Sequence, residues 1–113
     1  MTPVEIMNVL KAKNQMLTQK NDEYIVLAQK RADAEKEYKV KYSQTLLKLK
    51  GDYPATILKD IVNGDNTVAD LKFKADVCAA VEKACLESMK DIREAIGAAR
   101  SILTWLREEK GNG

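Results

Sequence analysis

Apolar residues recur at alternating intervals of three and four through the C-terminal part of the chain. Val68, Leu71, Ala75, Cys78, Glu82, Cys85, Met89, Ile92, Ile96, Ala99, Leu103 and Leu106 form one series, and only Glu82 in it is polar. This is the heptad signature of a helix that packs along its length against other helices. Thr67 precedes the series and, with Asp65 and Asn66, offers N-cap side chains. The pattern predicts a helix over about 67–109, followed by a frayed tail over 110–113.

The first half carries a poorer stripe. Thr2-Pro3-Val4-Glu5 reads as a capping box with proline at the first helical position. Because Met1 and Thr2 fit a native start, an untruncated N-terminus is expected. No glycine or further proline follows before Gly51. A helix over about 3–50 would be about 70 Å long. Its apolar positions include Ile6, Leu10, Leu17, Tyr24, Leu27, Ala34, Tyr38, Leu46 and Leu49, and Lys13, Lys20 and Arg31 fall on the same stripe. Such cations can lay their stems over apolar neighbours while their heads reach water. Gln29 to Lys41 is the weakest stretch, where a bend or fraying would be accommodated.

Gly51 suits the C′ position of that helix. Pro54 then opens a short helix over about 54–63, with Ile57, Leu58, Ile61 and Val62 on one face and Asn63-Gly64 as its stop. Two long helices of matching length joined by a short one form an antiparallel, coiled-coil-like hairpin. The expected fold is therefore all-α, in a single helical domain spanning 1–113. With Leu49 placed beside Thr67, Glu82 falls near Ala34, so it is expected to pair with Arg31 or bond a tyrosine hydroxyl, a polar contact of the kind that fixes register. One hairpin cannot also bury the flanking Val77, Val81, Ala84, Ala95 and Ile102. Association of two chains into a four-helix assembly, a homodimer, is the favoured solution, and a first helix folded back on itself is the other.

Composition narrows the chemistry. The chain has 113 residues, 45% hydrophobic and 32% charged, with a net charge of +2. It has no histidine, which removes the commonest general base and the commonest transition-metal ligand. Cys78 and Cys85 lie about 10 Å apart along one helix face, beyond disulfide reach. They read as reduced core residues of a cytoplasmic protein, with an intermolecular bridge as the lesser alternative. No phosphate-binding glycine loop, no metal site and no cofactor site is expected. The carboxylates read as a solvated helix face. No stretch approaches a membrane span and no secretory signal is recognisable.

Two features remain as binding candidates. Lys36, Lys39, Lys41, Lys48 and Lys50 stand against Glu37 alone between residues 36 and 50, with Tyr38 and Tyr42 among them. Lysines can neutralise phosphates and tyrosines can stack on bases; equally, the tyrosines fall where the core stripe should be. Trp105, the single tryptophan, lies off the seam, either covering the hairpin's open end or anchoring a partner. Gly97, with Ala95, Ala98 and Ala99, offers a small-residue patch where another helix could come close.

The runs Tyr53-Pro54-Ala55-Thr56-Ile57-Leu58, Val68-Ala69-Asp70-Leu71-Lys72-Phe73 and Ser101-Ile102-Leu103-Thr104-Trp105-Leu106 resemble small helical proteins of phages and prophages of Gram-positive bacteria. The resemblance covers about residues 45–108. It implies a virus-encoded protein of the host cytoplasm that works by binding, and it carries no residue role across. The expectation is a non-enzymatic protein–protein interaction module, an adaptor or inhibitor of a host or phage complex. The alternative is a nucleic-acid-binding accessory protein using the Lys36–Lys50 face.

Overall fold

The computed structural model describes residues 1–112; Gly113, the end of the expected tail, lies outside the described residues. Three helices follow in order: α1 over Pro3–Leu49, α2 over Ala55–Asn63 and α3 over Asn66–Asn112. The fold is an all-α hairpin, with two long helices packed against each other and a short connecting helix. α1 and α3 are 47 residues each, and α1 runs unbroken through the weak stretch from Gln29 to Lys41. α3 continues beyond Glu109 through Lys110 and Gly111, so the expected fraying there is replaced by helix.

Each helix boundary has a local cause. Thr2 Oγ1 accepts a hydrogen bond from the Glu5 N–H at 3.2 Å. Asp65 Oδ2 accepts one from Val68 N–H at 3.1 Å, and the Asp65 carbonyl accepts from Ala69 N–H. These side chains satisfy donors that the first turn leaves without an intrahelical acceptor. Pro54 sits one place earlier than expected, at the N-cap of α2, where its carbonyl accepts from the N–H groups of Ile57 and Leu58. Gly51 has φ +95° and turns the chain out of α1. Gly64 stops α2 while keeping right-handed backbone, its N–H donating to the Asp60 carbonyl.

The chain divides into two compact units: Met1–Ile25 with the chain from Ala84 onward, and Val26–Lys83. In the first unit, Ile6, Ala99 and Leu103 form a buried cluster with Leu10 and Leu106 packed on it. Cys85, a free thiol like Cys78, donates to the Lys20 carbonyl at 3.6 Å. In the second unit Val62, Val68, Ala34 and Ala75 are buried, and the polar Thr45 joins them.

All twelve seam positions of α3 are buried or half-buried. On α1, Lys13, Lys20 and Arg31 are half-buried on the stripe, as cations with long apolar stems can be. The register differs from expectation by about one heptad. Ile6 lies against Ala99 and Leu103, where the expected pairing would set it beside Lys110. A slip of seven residues preserves every seam position, so periodicity alone does not distinguish the two registers.

Glu82 pairs with Arg31, as expected, and Arg31 Nη1 also donates to Glu35 Oε2 at 3.1 Å. The hydrogen bond to Glu82 and that carboxylate's charge raise the Arg31 pKa above its already high ordinary value. Glu82 is only 9% exposed. A carboxylate so placed is costly to leave without its cation, whereas an apolar pair of similar volume carries no such cost. Arg31→Ala alone is expected to lower the thermal midpoint, and Arg31→Met with Glu82→Leu to restore or raise it. Equal loss in both variants would contradict this reading.

Two further substitutions separate core packing from backbone strain. Leu103→Ala is expected to cost about 2–5 kcal/mol in denaturant unfolding. Gly51→Ala, at an unobstructed but left-handed position, is expected to cost about 1–2 kcal/mol. Gly97→Ala, within a helix and with nothing near its Cβ position, should instead gain up to about 1 kcal/mol.

Candidate functional site

An α-helix advances about 100° per residue, so a residue just before a seam position lies on one flank of the hairpin and a residue just after it on the other. In an antiparallel pair, the preceding flanks of both helices share a side. The second unit displays this directly. Lys74, just before Ala75, donates to Glu37, just before Tyr38, at 3.1 Å. Leu27, Lys30, Val77, Cys78 and Val81 line one shallow groove. On the following flank, Lys72 Nζ lies 5.5 Å over the ring centre of Tyr38. Its hydrogen bond to Asp76, together with that carboxylate's charge, raises the Lys72 pKa.

This geometry breaks up the expected basic face. Lys36 and Lys41 line an open groove of about 590 Å³ with Asp33, Glu37, Val40, Gln44, Thr67 and Leu71. Lys41 and Lys48 line an adjoining one of about 330 Å³ with Thr45 and Asp65. Lys39 lies about 160° around the helix from Lys41, and Lys50 lies beyond the end of α1 and lines neither groove. Tyr38 and Tyr42 are half-buried and contact each other, ring centres 5.9 Å apart, and Tyr38 lies under Lys72 rather than beside the groove lysines. The lining cations Lys36, Lys41 and Lys48 are matched by Asp33, Glu37 and Asp65. The five lysines and two tyrosines therefore do not share one surface, and the part that is shared is charge-balanced.

The first unit offers a more coherent surface on its preceding flank. There α3 presents Ala95, Ala98, Ile102 and Trp105, each one residue before a seam position, and α1 presents Val9, Ala12 and Met16 in the same phase. Ile102 is 42% exposed and Trp105 60%; Val9, Ala12, Met16 and Ala98 are exposed as well. Trp105 thus does not serve as cover within this chain. The expected small-residue patch is split: Ala99 is buried in the seam, Ala98 lies on the Trp105 side and exposed Gly97 on the opposite flank. In the second unit Val77 and Val81 remain 44% exposed, as one hairpin must leave them.

Sequence reading identified Trp105 and Ile102 separately but missed the row that joins them. The signal was present: shifting the α3 seam back by one residue gives Val77, Val81, Ala84, Ser88, Asp91, Ala95, Ala98, Ile102 and Trp105, a second near-apolar heptad series. Among the described residues no group of three or more His, Cys, Asp or Glu is placed to hold a metal, and no helix is long and apolar enough to cross a membrane. No protein-family model, curated protein or solved structure matches this chain.

Proposed function

We propose that this chain is a non-enzymatic helical interaction module, an adaptor or inhibitor that acts by protein–protein contact. The observation that carries the reading is the exposed apolar flank of the first unit, with Trp105 and Ile102 on α3 beside Val9 and Met16 on α1. Tryptophan and methionine are among the residue types enriched at protein interfaces.

The first occupant of that flank is a second copy of the chain. The chain exposes 8253 Å², whereas a compact monomer of its 12.7 kDa mass exposes about 6,200 Å². The difference, about 2,000 Å², is more than one partner contributes to a standard interface and in the range that stable homodimers bury. The resemblance of Tyr53–Leu58, Val68–Phe73 and Ser101–Leu106 to helical phage proteins supports a viral source, the host cytoplasm as its place of action, and a host or phage complex as the further partner.

The single tryptophan reports on this contact. Raising protein concentration is expected to shift Trp105 emission to shorter wavelength while light scattering moves toward twice the chain mass. Ile102→Lys should abolish both changes with helicity retained. A chain that stays at single mass up to about millimolar concentration, beyond which weak encounters dominate, would refute self-association through this flank.

A further inference from the structure

The flank opposite Trp105 in the first unit has a different composition. Each residue just after an α3 seam position from Met89 onward is Lys90, Arg93, Gly97, Arg100, Thr104 or Arg107. Lys11 occupies the same phase on α1, between Met7 and Asn14. All five cations are exposed, and among the described residues none forms an ion pair. No carboxylate stands just after a seam position here, although Glu87 and Glu94 lie three and four residues from Lys90; Arg93, Arg100 and Arg107 have no carboxylate three or four residues away. The first unit as a whole carries eight Lys or Arg and eight Asp or Glu, so this is segregation rather than excess: Glu5, Glu23, Asp91 and Glu109 fall on the Trp105 flank, and Asp22, Glu87, Glu94 and Glu108 on the seam-distant surface.

We infer that this flank binds the phosphate backbone of double-stranded DNA. Arg93, Arg100 and Arg107 recur every seven residues, about 10.5 Å apart on a continuous helix, which gives a rigid row rather than a flexible tail. Arginine presents a planar fork that matches phosphate oxygens in pairs. Gly97 between them has nothing within 4 Å of its Cβ position, so a backbone can come close there. Thr18 and Thr104 already donate their hydroxyl protons to the Asn14 and Arg100 carbonyls, leaving contact to the cations and the Asn14 amide. No aromatic residue lies in this phase, so the stacking on which single-strand binders rely has no platform. Met7, Ile25 and Leu86 are exposed in the same phase, so the vesicle arm of the test separates a duplex from a lipid surface. This contact is sequence-independent and does not depend on occupancy of the Trp105 flank.

The test is fluorescence anisotropy with a labelled 20-base-pair duplex of arbitrary sequence, titrated between about 50 and 200 mM salt, the range over which counterion release is pronounced. With four to five phosphate contacts, log K should fall against log salt with a slope of about −4. Arg93→Gln and Arg100→Gln should each weaken binding about tenfold at 50 mM salt and reduce the slope by about 1, equally for unrelated sequences. Lys39→Gln with Lys48→Gln should change neither, and Ile102→Lys should leave the slope per chain intact even if self-association is lost. Circular dichroism of each variant secures the fold. No salt-dependent binding at 50 mM, loss through Lys39 and Lys48 instead of the arginines, tighter binding of the single strand, or equal affinity for polyglutamate or anionic phosphatidylserine vesicles would each overturn the assignment.

Discussion

The contact between Arg31 and Glu82 is the constraint on which the arrangement of the second unit turns. Apolar side chains along a heptad seam hold two helices together but tolerate a slip of seven residues with little loss, because each layer meets another of similar shape. A carboxylate only 9% exposed adds a demand of its own. It requires its guanidinium, and Arg31 supplies it while also holding Glu35. Because Arg31 lies within a turn of the position opposite Glu82 in both the expected and the observed register, the pair anchors the second unit without choosing between them. Whether it also adds net stability is a separate matter, since removing two charges from water offsets much of their attraction.

Once the seam is fixed, the surface follows by displacement of one residue. The preceding flank of the first unit exposes Trp105 and Ile102 among small residues, with Glu5, Glu23, Asp91 and Glu109 also on it; the following flank carries Lys90, Arg93, Arg100 and Arg107 with no carboxylate just after a seam position. One helix thus presents three surfaces of different chemistry about 100° apart. An interaction module needs such a division, because surfaces that do not compete can hold two partners together. The second unit lacks it. Its lysines alternate with Asp33, Glu37 and Asp65 around shared grooves, and its tyrosines are half-buried.

The fold was largely legible in the chain. Thr2, Asp65 and Gly51 marked boundaries through chemistry local to a few residues, and the α3 seam was readable position by position. The Arg31–Glu82 pair was legible because a single charge interrupting an apolar series demands a partner. The register itself was not, since its periodicity is degenerate. The surface was less legible, because a run of charge along the chain is not a run around the helix. Lys36 to Lys50 looks concentrated in sequence and is dispersed by the helical turn. Lys90, Arg93, Arg100 and Arg107 look dispersed, with Glu87, Asp91 and Glu94 interleaved, and are gathered by the same turn.

The register decides which α1 residues stand beside Trp105 and which stand beside the arginines of the first unit. Nuclear Overhauser contacts between side chains measure it without perturbing the protein. The expected contacts run from the Ile6 methyl groups to those of Ala99 and Leu103, and from the Arg31 side chain to Glu82. Ile6 contacts falling instead on the Lys110 turn, one heptad away, or Glu82 found without Arg31 beside it, would contradict the account.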